Sequence, residues 1–80
     1  MKKIRTHSAG IDIGSRKVFV GIEGLAVKSF DTFTEDLEFL ADYLLDNNIT
    51  SVAMEATGVY WVSLYDILES RGVDVWLVDG

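Results

Sequence analysis

AGIDIGSRKVFVGI, residues 9–22, sets one acid, Asp12, inside an otherwise apolar run, between two glycines and just ahead of a basic pair. Alternation places Ala9, Ile11 and Ile13 on one side of a strand over residues 8–13 and leaves Gly10 and Asp12 on the other. The run VFVGI, residues 18–22, reads as a second strand, and a third follows over 25–30. Connections through Ser15-Arg16 and Glu23-Gly24 have hairpin length, so the three should form an antiparallel meander.

Beyond the meander the period changes. Phe33, Leu37, Leu40, Ala41, Leu44 and Leu45 recur every three or four residues, the stripe of an amphipathic helix. Thr32 and Glu35 have the spacing of a capping box that would start it, and Asn47-Asn48 would end it. SVAM, residues 51–54, predicts a short buried strand ending at Glu55. Residues 59–71 predict a second helix with Tyr60, Leu64, Ile67 and Leu68 inward and Gly72 as its stop, and VDVWLV, residues 73–78, a last strand.

The order is β-β-β-α-β-α-β, an α/β fold. With the meander on one side of the first strand and the last two strands added in parallel on the other, the mixed sheet has order 3-2-1-4-5. Both crossovers then run the same way, so right-handedness puts both helices on one face. The opposite face is left bare.

The sequence of 80 residues makes one small domain, residues 1–80, with a core of limited size. A hydrophobic share of 49% with 25% charged residues is globular composition and argues against disorder. Cysteine is absent, which excludes disulfides and thiolate metal sites and leaves oxygen or single-histidine ligands, with a hard cation such as magnesium the natural candidate. No stretch has signal-peptide character or the roughly 20 apolar residues of a membrane span, so the expected location is cytoplasmic, with no membrane partner. Seven basic residues against 13 acidic give a net charge of -6, the wrong sign for general attraction to a phosphate backbone. Six of the acids, from Asp31 to Asp46, lie on or beside the first helix and read as a solvated face.

The proposed strand order sets Asp12 beside Glu55, each near the C-terminal end of its strand. Two carboxylates about 4 Å apart at an effective dielectric near 20 repel by roughly 4 kcal/mol, which favours uptake of a proton or a divalent cation. Magnesium held by one or two carboxylates plus substrate phosphates fits such a pair.

GIDIGSRKVFVGI, then a helix, then SVAMEATGVYW and GVDVWLVDG, resembles the N-terminal domain of the DEDD transposases of the insertion-sequence-110 family, relatives of the Piv/MooV DNA invertases. The resemblance spans nearly the whole chain. It implies a ribonuclease-H-like (RuvC-like) fold and a metal-dependent site of four acids, used in RNA-guided cleavage and rejoining of DNA. Asp12 falls on the first acid and Glu55 on the second; both would be catalytic and would bind Mg2+. The other two form an Asp-x-x-Asp pair expected beyond Gly80, and Asp79 is not a substitute. On this reading the chain is a fragment that lacks the later helices, the downstream acids and the serine-bearing domain. It would bind magnesium weakly and be inactive alone, while the parent would act on DNA with a guide RNA. Arg16 and Lys17, with Lys2, Lys3 and Arg5, are the expected phosphate contacts.

Other readings of the same residues stay open. An acid before a Gly-Ser turn also ends strands, and Glu55 also suits the amides around Thr57-Gly58. Tyr60 and Trp61 could stack bases or fill the core, Ser15 fits a turn, and His7 reads as exposed without a role. Asp12-Ile13-Gly14-Ser15 also resembles the phosphate turn of actin- and sugar-kinase-like ATPases, and the acidic helix would suit a non-catalytic interaction module. The glycines at 10, 14, 21 and 24 make no dinucleotide fingerprint. The second, third and last strands are apolar on both sides and should leave large side chains on the bare face, so the chain is expected to form homo-oligomers, most simply a two-fold dimer pairing bare faces or edge strands.

Overall fold

The computed structural model describes residues 7–56 and 61–78. Its elements are β1 (Ser8–Ile13), β2 (Lys17–Ile22), β3 (Lys28–Asp31), α1 (Thr34–Asp46), β4 (Ser51–Ala56), α2 (Trp61–Ser70) and β5 (Asp74–Val78). They make one five-stranded sheet in the order β3-β2-β1-β4-β5. The β1-β2 and β2-β3 pairs are antiparallel, and the β1-β4 and β4-β5 pairs are parallel. The mixed α/β architecture and strand order follow the alternation and crossover argument. Tyr60, assigned an inward place at the start of the second helix, lies outside the described residues, as do Lys2, Lys3, Arg5, Thr57, Gly58 and Asp79.

Alternation along each strand divides the sheet into a packed face and an open one. Ile11 and Ile13 of β1, Val18 and Val20 of β2, and Val52 and Met54 of β4 are buried. They pack with Leu37, Leu40, Ala41 and Leu44 of α1 and Leu64 and Leu68 of α2 in one core cluster. The other face carries Gly10, Asp12, Phe19, Gly21, Ala53 and Glu55, and no described helix covers it.

The two helices end in the same way, which delivers β4 and β5 in the same direction. Asn48 (φ 61°) and Gly72 (φ 85°) each take the left-handed conformation just past the helix. The amide of Asn48 donates to Leu45 and that of Ile49 to Leu44; after α2, Gly72 donates to Glu69 and Val73 to Leu68. Both are Schellman motifs, and the apolar residues that close them, Ile49 and Val73, are buried. A left-handed residue is thus required at Asn48 and Gly72, and Asn and Gly are the types that reach it most easily. His7, exposed as expected, has a place here too, with Nδ1–H donating to the Asn48 carbonyl at 3.0 Å and its own carbonyl accepting from the Thr50 and Ser51 amides.

Beyond shifts of a residue or two at strand ends, two boundaries differ from those expected in ways that change the packing. The capping box at Thr32 and Glu35 does not form: the N-cap is Phe33, with extended backbone and no side-chain cap, and α1 begins at Thr34. Strand β3 runs on to Asp31, pinned there by Lys17, so Thr32 and Phe33 are spent turning the chain from the sheet edge onto its face. Phe33, placed on the inward stripe by its spacing, is consequently 72% exposed.

The third strand starts at Lys28 rather than residue 25. The amide of Leu25 does bond Ile22 across Glu23-Gly24, with Gly24 at φ 89°. A simple two-residue hairpin would then pair Val18 with Ser29, but the observed partner of Val18 is Phe30. A one-residue offset exchanges the faces of a strand. Here it turns Phe30 inward, onto the ring of Tyr43 at 5.8 Å, with the Lys28 ammonium lying over both rings.

Candidate functional site

Strand register alone brings the two acids together. Asp12 and Glu55 are Cα partners in the parallel β1-β4 pair, each the next-to-last residue of its strand. Neighbouring strands lie about 4.8 Å apart, and equal parity sends both side chains to the open face. Asp12 is exposed and Glu55 half-buried. Water therefore reaches between them, and their repulsion falls well below the value for a desolvated pair.

The same register sets Phe19 on the other side of Asp12 and Val78 on the other side of Glu55. One pleat away, Gly10 lies opposite both Gly21 and Ala53, and Ala53 opposite Trp76. Three neighbouring strands thus present no side chain larger than a methyl, and the floor they make belongs to a shallow trough of about 360 Å³ bordered by Phe19, Val78 and the two acids. A Cβ added at Gly10 or Gly21 would meet nothing within 4 Å, and neither has a positive φ. Neither sterics nor backbone conformation requires glycine there. This floor was not assembled from the sequence, although its signal is present in the alternation of Gly10 with Asp12 and of Gly21 with Phe19.

Arg16 and Lys17 sit at the same end of the sheet. Arg16 is exposed in the β1-β2 turn, where the Gly14 amide donates to the Lys17 carbonyl at 2.9 Å. That bond spends one amide that a phosphate-cradling turn would offer. Lys17 is joined to Asp31 at 2.9 Å, both half-exposed, an ion pair weak enough to be exchanged for another anion. Trp61 is half-buried against the core and edge-on to Tyr65 at 6.2 Å.

Nor are all the helical acids merely solvated. Arg71 donates to Asp42 at 2.9 Å and to Glu38 at 3.0 Å, tying the end of α2 to the middle of α1. Those two bonds, with Asp42 first, raise the Arg71 pKa above its already high ordinary value.

Among the described residues no group of three or more metal-ligating side chains occurs. The Asp12-Glu55 pair is an oxygen-only donor set of two, which suits a hard cation that keeps most of its water or shares phosphate oxygens, and suits neither zinc nor copper. No helix is long and apolar enough to cross a membrane, among the residues described. No family model matches the chain, and no curated protein gives a significant match.

Proposed function

We propose that this domain is the N-terminal part of a ribonuclease-H-like (RuvC-like) catalytic domain of the DEDD transposase type, a DNA recombinase acting on DNA with a guide RNA. The reading is carried by one observation: Asp12 and Glu55 stand in register on adjacent parallel strands, on the uncovered face, where those strands end. Both strands deliver the acids from the central, best-supported part of the sheet, so their spacing is held by backbone pairing rather than by loops. Asp12 and Glu55 would hold Mg2+, which supplies charge neutralisation and activation of water at a phosphodiester. Arg16, and Lys17 once released from Asp31, would meet backbone phosphates beside them. The floor next to the acids, with nothing larger than a methyl, leaves room for a nucleic-acid backbone to approach the sheet. Two acids of a set of four bind magnesium weakly and leave the isolated chain without nuclease activity.

Manganese titration of the isolated chain, followed by paramagnetic broadening of amide resonances, tests the metal assignment. Broadening centred on residues 12 and 55 and lost in Asp12→Asn is expected; broadening centred on the acids of α1 would remove the site. In a protein that carries this domain with all four acids, Asp12→Asn or Glu55→Gln should abolish DNA cleavage without unfolding it. Cleavage at the wild-type rate by either variant would end the proposal.

A further inference from the structure

The two edges of the sheet are unlike each other. At one edge β3 is four residues long, carries Lys28 and Asp31, and has the Lys17-Asp31 pair across its end, features that deter edge-to-edge pairing. At the other, β5 reads Asp74-Val75-Trp76-Leu77-Val78, with Trp76 68%, Leu77 49% and Val78 44% exposed. Beyond Asp74 it carries no charge, no proline and no bulge.

The direction of its free backbone groups follows from one bond. The Asp74 amide donates to the Thr50 carbonyl, so Asp74, Trp76 and Val78 turn their backbone groups toward β4. Alternation then turns those of Val75 and Leu77 outward. From this we propose that β5 pairs antiparallel with β5 of a second copy of the chain, about a two-fold axis at Trp76, making a continuous ten-stranded sheet. In that register Val75 and Leu77 of one copy exchange both backbone bonds with Leu77 and Val75 of the other. All four outward donors and acceptors of each strand are used, in four hydrogen bonds, and a shift in either direction loses half of them. Trp76 meets its own symmetry mate in the close, non-hydrogen-bonded position, where aromatic cross-strand pairs are favourable. On the helix side the exposed Leu77 gains the other copy's Val75 as its neighbour.

Charge selects this arrangement over stacking of open faces. Stacked faces bring Asp12 and Glu55 of both copies into one layer of a molecule whose net charge is -6. Edge pairing places each Asp74 opposite a Val78, roughly 13 Å from its counterpart by strand rise, beyond the screening length of about 8 Å at physiological salt. The contact is smaller than the about 800 Å² per partner of a standard interface, so the dimer is weak and assembles at micromolar concentrations or above.

The pairing needs neither metal nor nucleic acid, which separates its test from that of the catalytic reading. Sedimentation velocity of the isolated chain from about 10 µM to 1 mM, without divalent cations, should show a concentration-dependent dimer. Trp76→Lys, at a side chain too exposed to hold the fold, should shift the midpoint at least tenfold toward monomer with an unchanged circular dichroism spectrum. Phe19→Ser, on the open face, should leave the midpoint in place. In a dimer of mixed isotope labels, cross-copy contacts between the Trp76 rings are expected. A chain monomeric at 1 mM, a Trp76→Lys variant that dimerises like the wild type, or loss of the dimer in Phe19→Ser alone would each overturn the pairing.

Discussion

Gly10 lies directly opposite Gly21 across the β1-β2 pair, and a side chain at either would extend into open space on the uncovered face. Glycine in a strand interior gives up packing and costs unfolded-chain entropy, so two of them side by side are a local expense that the fold does not require. Gly10→Val should therefore fold and gain about 0.5–1 kcal/mol in urea unfolding. The same substitution stands one pleat from Asp12 and fills the floor of the trough. It should impair any ligand that approaches the acids along the sheet, and a stabilised variant with undiminished DNA cleavage in a full catalytic domain would show that the floor has no part in binding.

Like charges directly opposite one another on a sheet destabilise it, and Asp12 faces Glu55 in register. Asp12→Asn should accordingly raise stability by roughly 0.2–1 kcal/mol at low ionic strength, with the gain shrinking as salt rises. A stability gain together with loss of manganese broadening would be the pattern of a site kept at the expense of the fold. Destabilisation by Asp12→Asn would instead mark the carboxylate as a structural acceptor at the strand end.

Much of this arrangement was legible because it rests on periods. The alternation through Ala9-Gly10-Ile11-Asp12 sorted β1 into its two faces, and the handedness of two crossovers then put β1 beside β4 and Asp12 beside Glu55. The helix stops at Asn48 and Gly72 were readable for a different reason, since few residue types accept a left-handed backbone. What escaped depended on single-residue offsets and on contacts between distant segments. Leu25, Ala26 and Val27 look like strand, yet the extra residue that turns Phe30 toward Tyr43 is decided by packing across α1. The bond of Arg71 to Glu38 and Asp42 spans about thirty residues and has no local signature. Trp61 is half-buried against the core, with Tyr65, one helical turn on, edge-on to its ring.

The hydroxyl of Tyr65 donates to Glu69 Oε2 at 3.2 Å. The charge of Glu69, then that hydrogen bond, raises the phenol above its ordinary value of about 10. The neutral phenol is the form favoured by the folded state, so this contribution to stability is complete below pH 10 and fades as the pH rises through the folded-state value. An NMR titration of the ring carbons should find Tyr65 ionising above the ordinary range, and Glu69→Gln should bring it down. An unchanged midpoint in Glu69→Gln would mean that the pair does not form in solution.

The core should respond more strongly than any surface position. Leu40 is fully buried between α1 and the sheet, and Leu40→Ala should cost about 2–5 kcal/mol. A domain of this size has only roughly 4–12 kcal/mol of stability in all, at about 0.05–0.15 kcal/mol per residue, so the variant should be partly unfolded at 37 °C by circular dichroism. A loss below about 1 kcal/mol would contradict the packing of α1 on this face of the sheet.

Phe33 offers the opposite experiment, because at the N-cap of α1 it contributes neither burial nor a cap. Its carbonyl accepts the first helical bond, from Leu37 at 2.9 Å, while its ring is 72% exposed and the first-turn amides receive nothing from its side chain. A hydroxyl at this position can accept from one of those amides at no cost to the core. Phe33→Ser should therefore stabilise the domain by about 1 kcal/mol, within the 0.5–2 kcal/mol range of N-cap exchanges. Serine is preferred to aspartate because Asp31, Glu35 and Asp36 already crowd this helix end with negative charge. Thr32→Ala supplies the comparison: with the cap at Phe33, its effect on urea unfolding should stay within about 0.5 kcal/mol, the usual range for a substitution that breaks no cap. If Thr32→Ala instead costs about 1 kcal/mol and Phe33→Ser gains nothing, α1 starts one residue earlier in solution, with Thr32 and Glu35 closing the capping box.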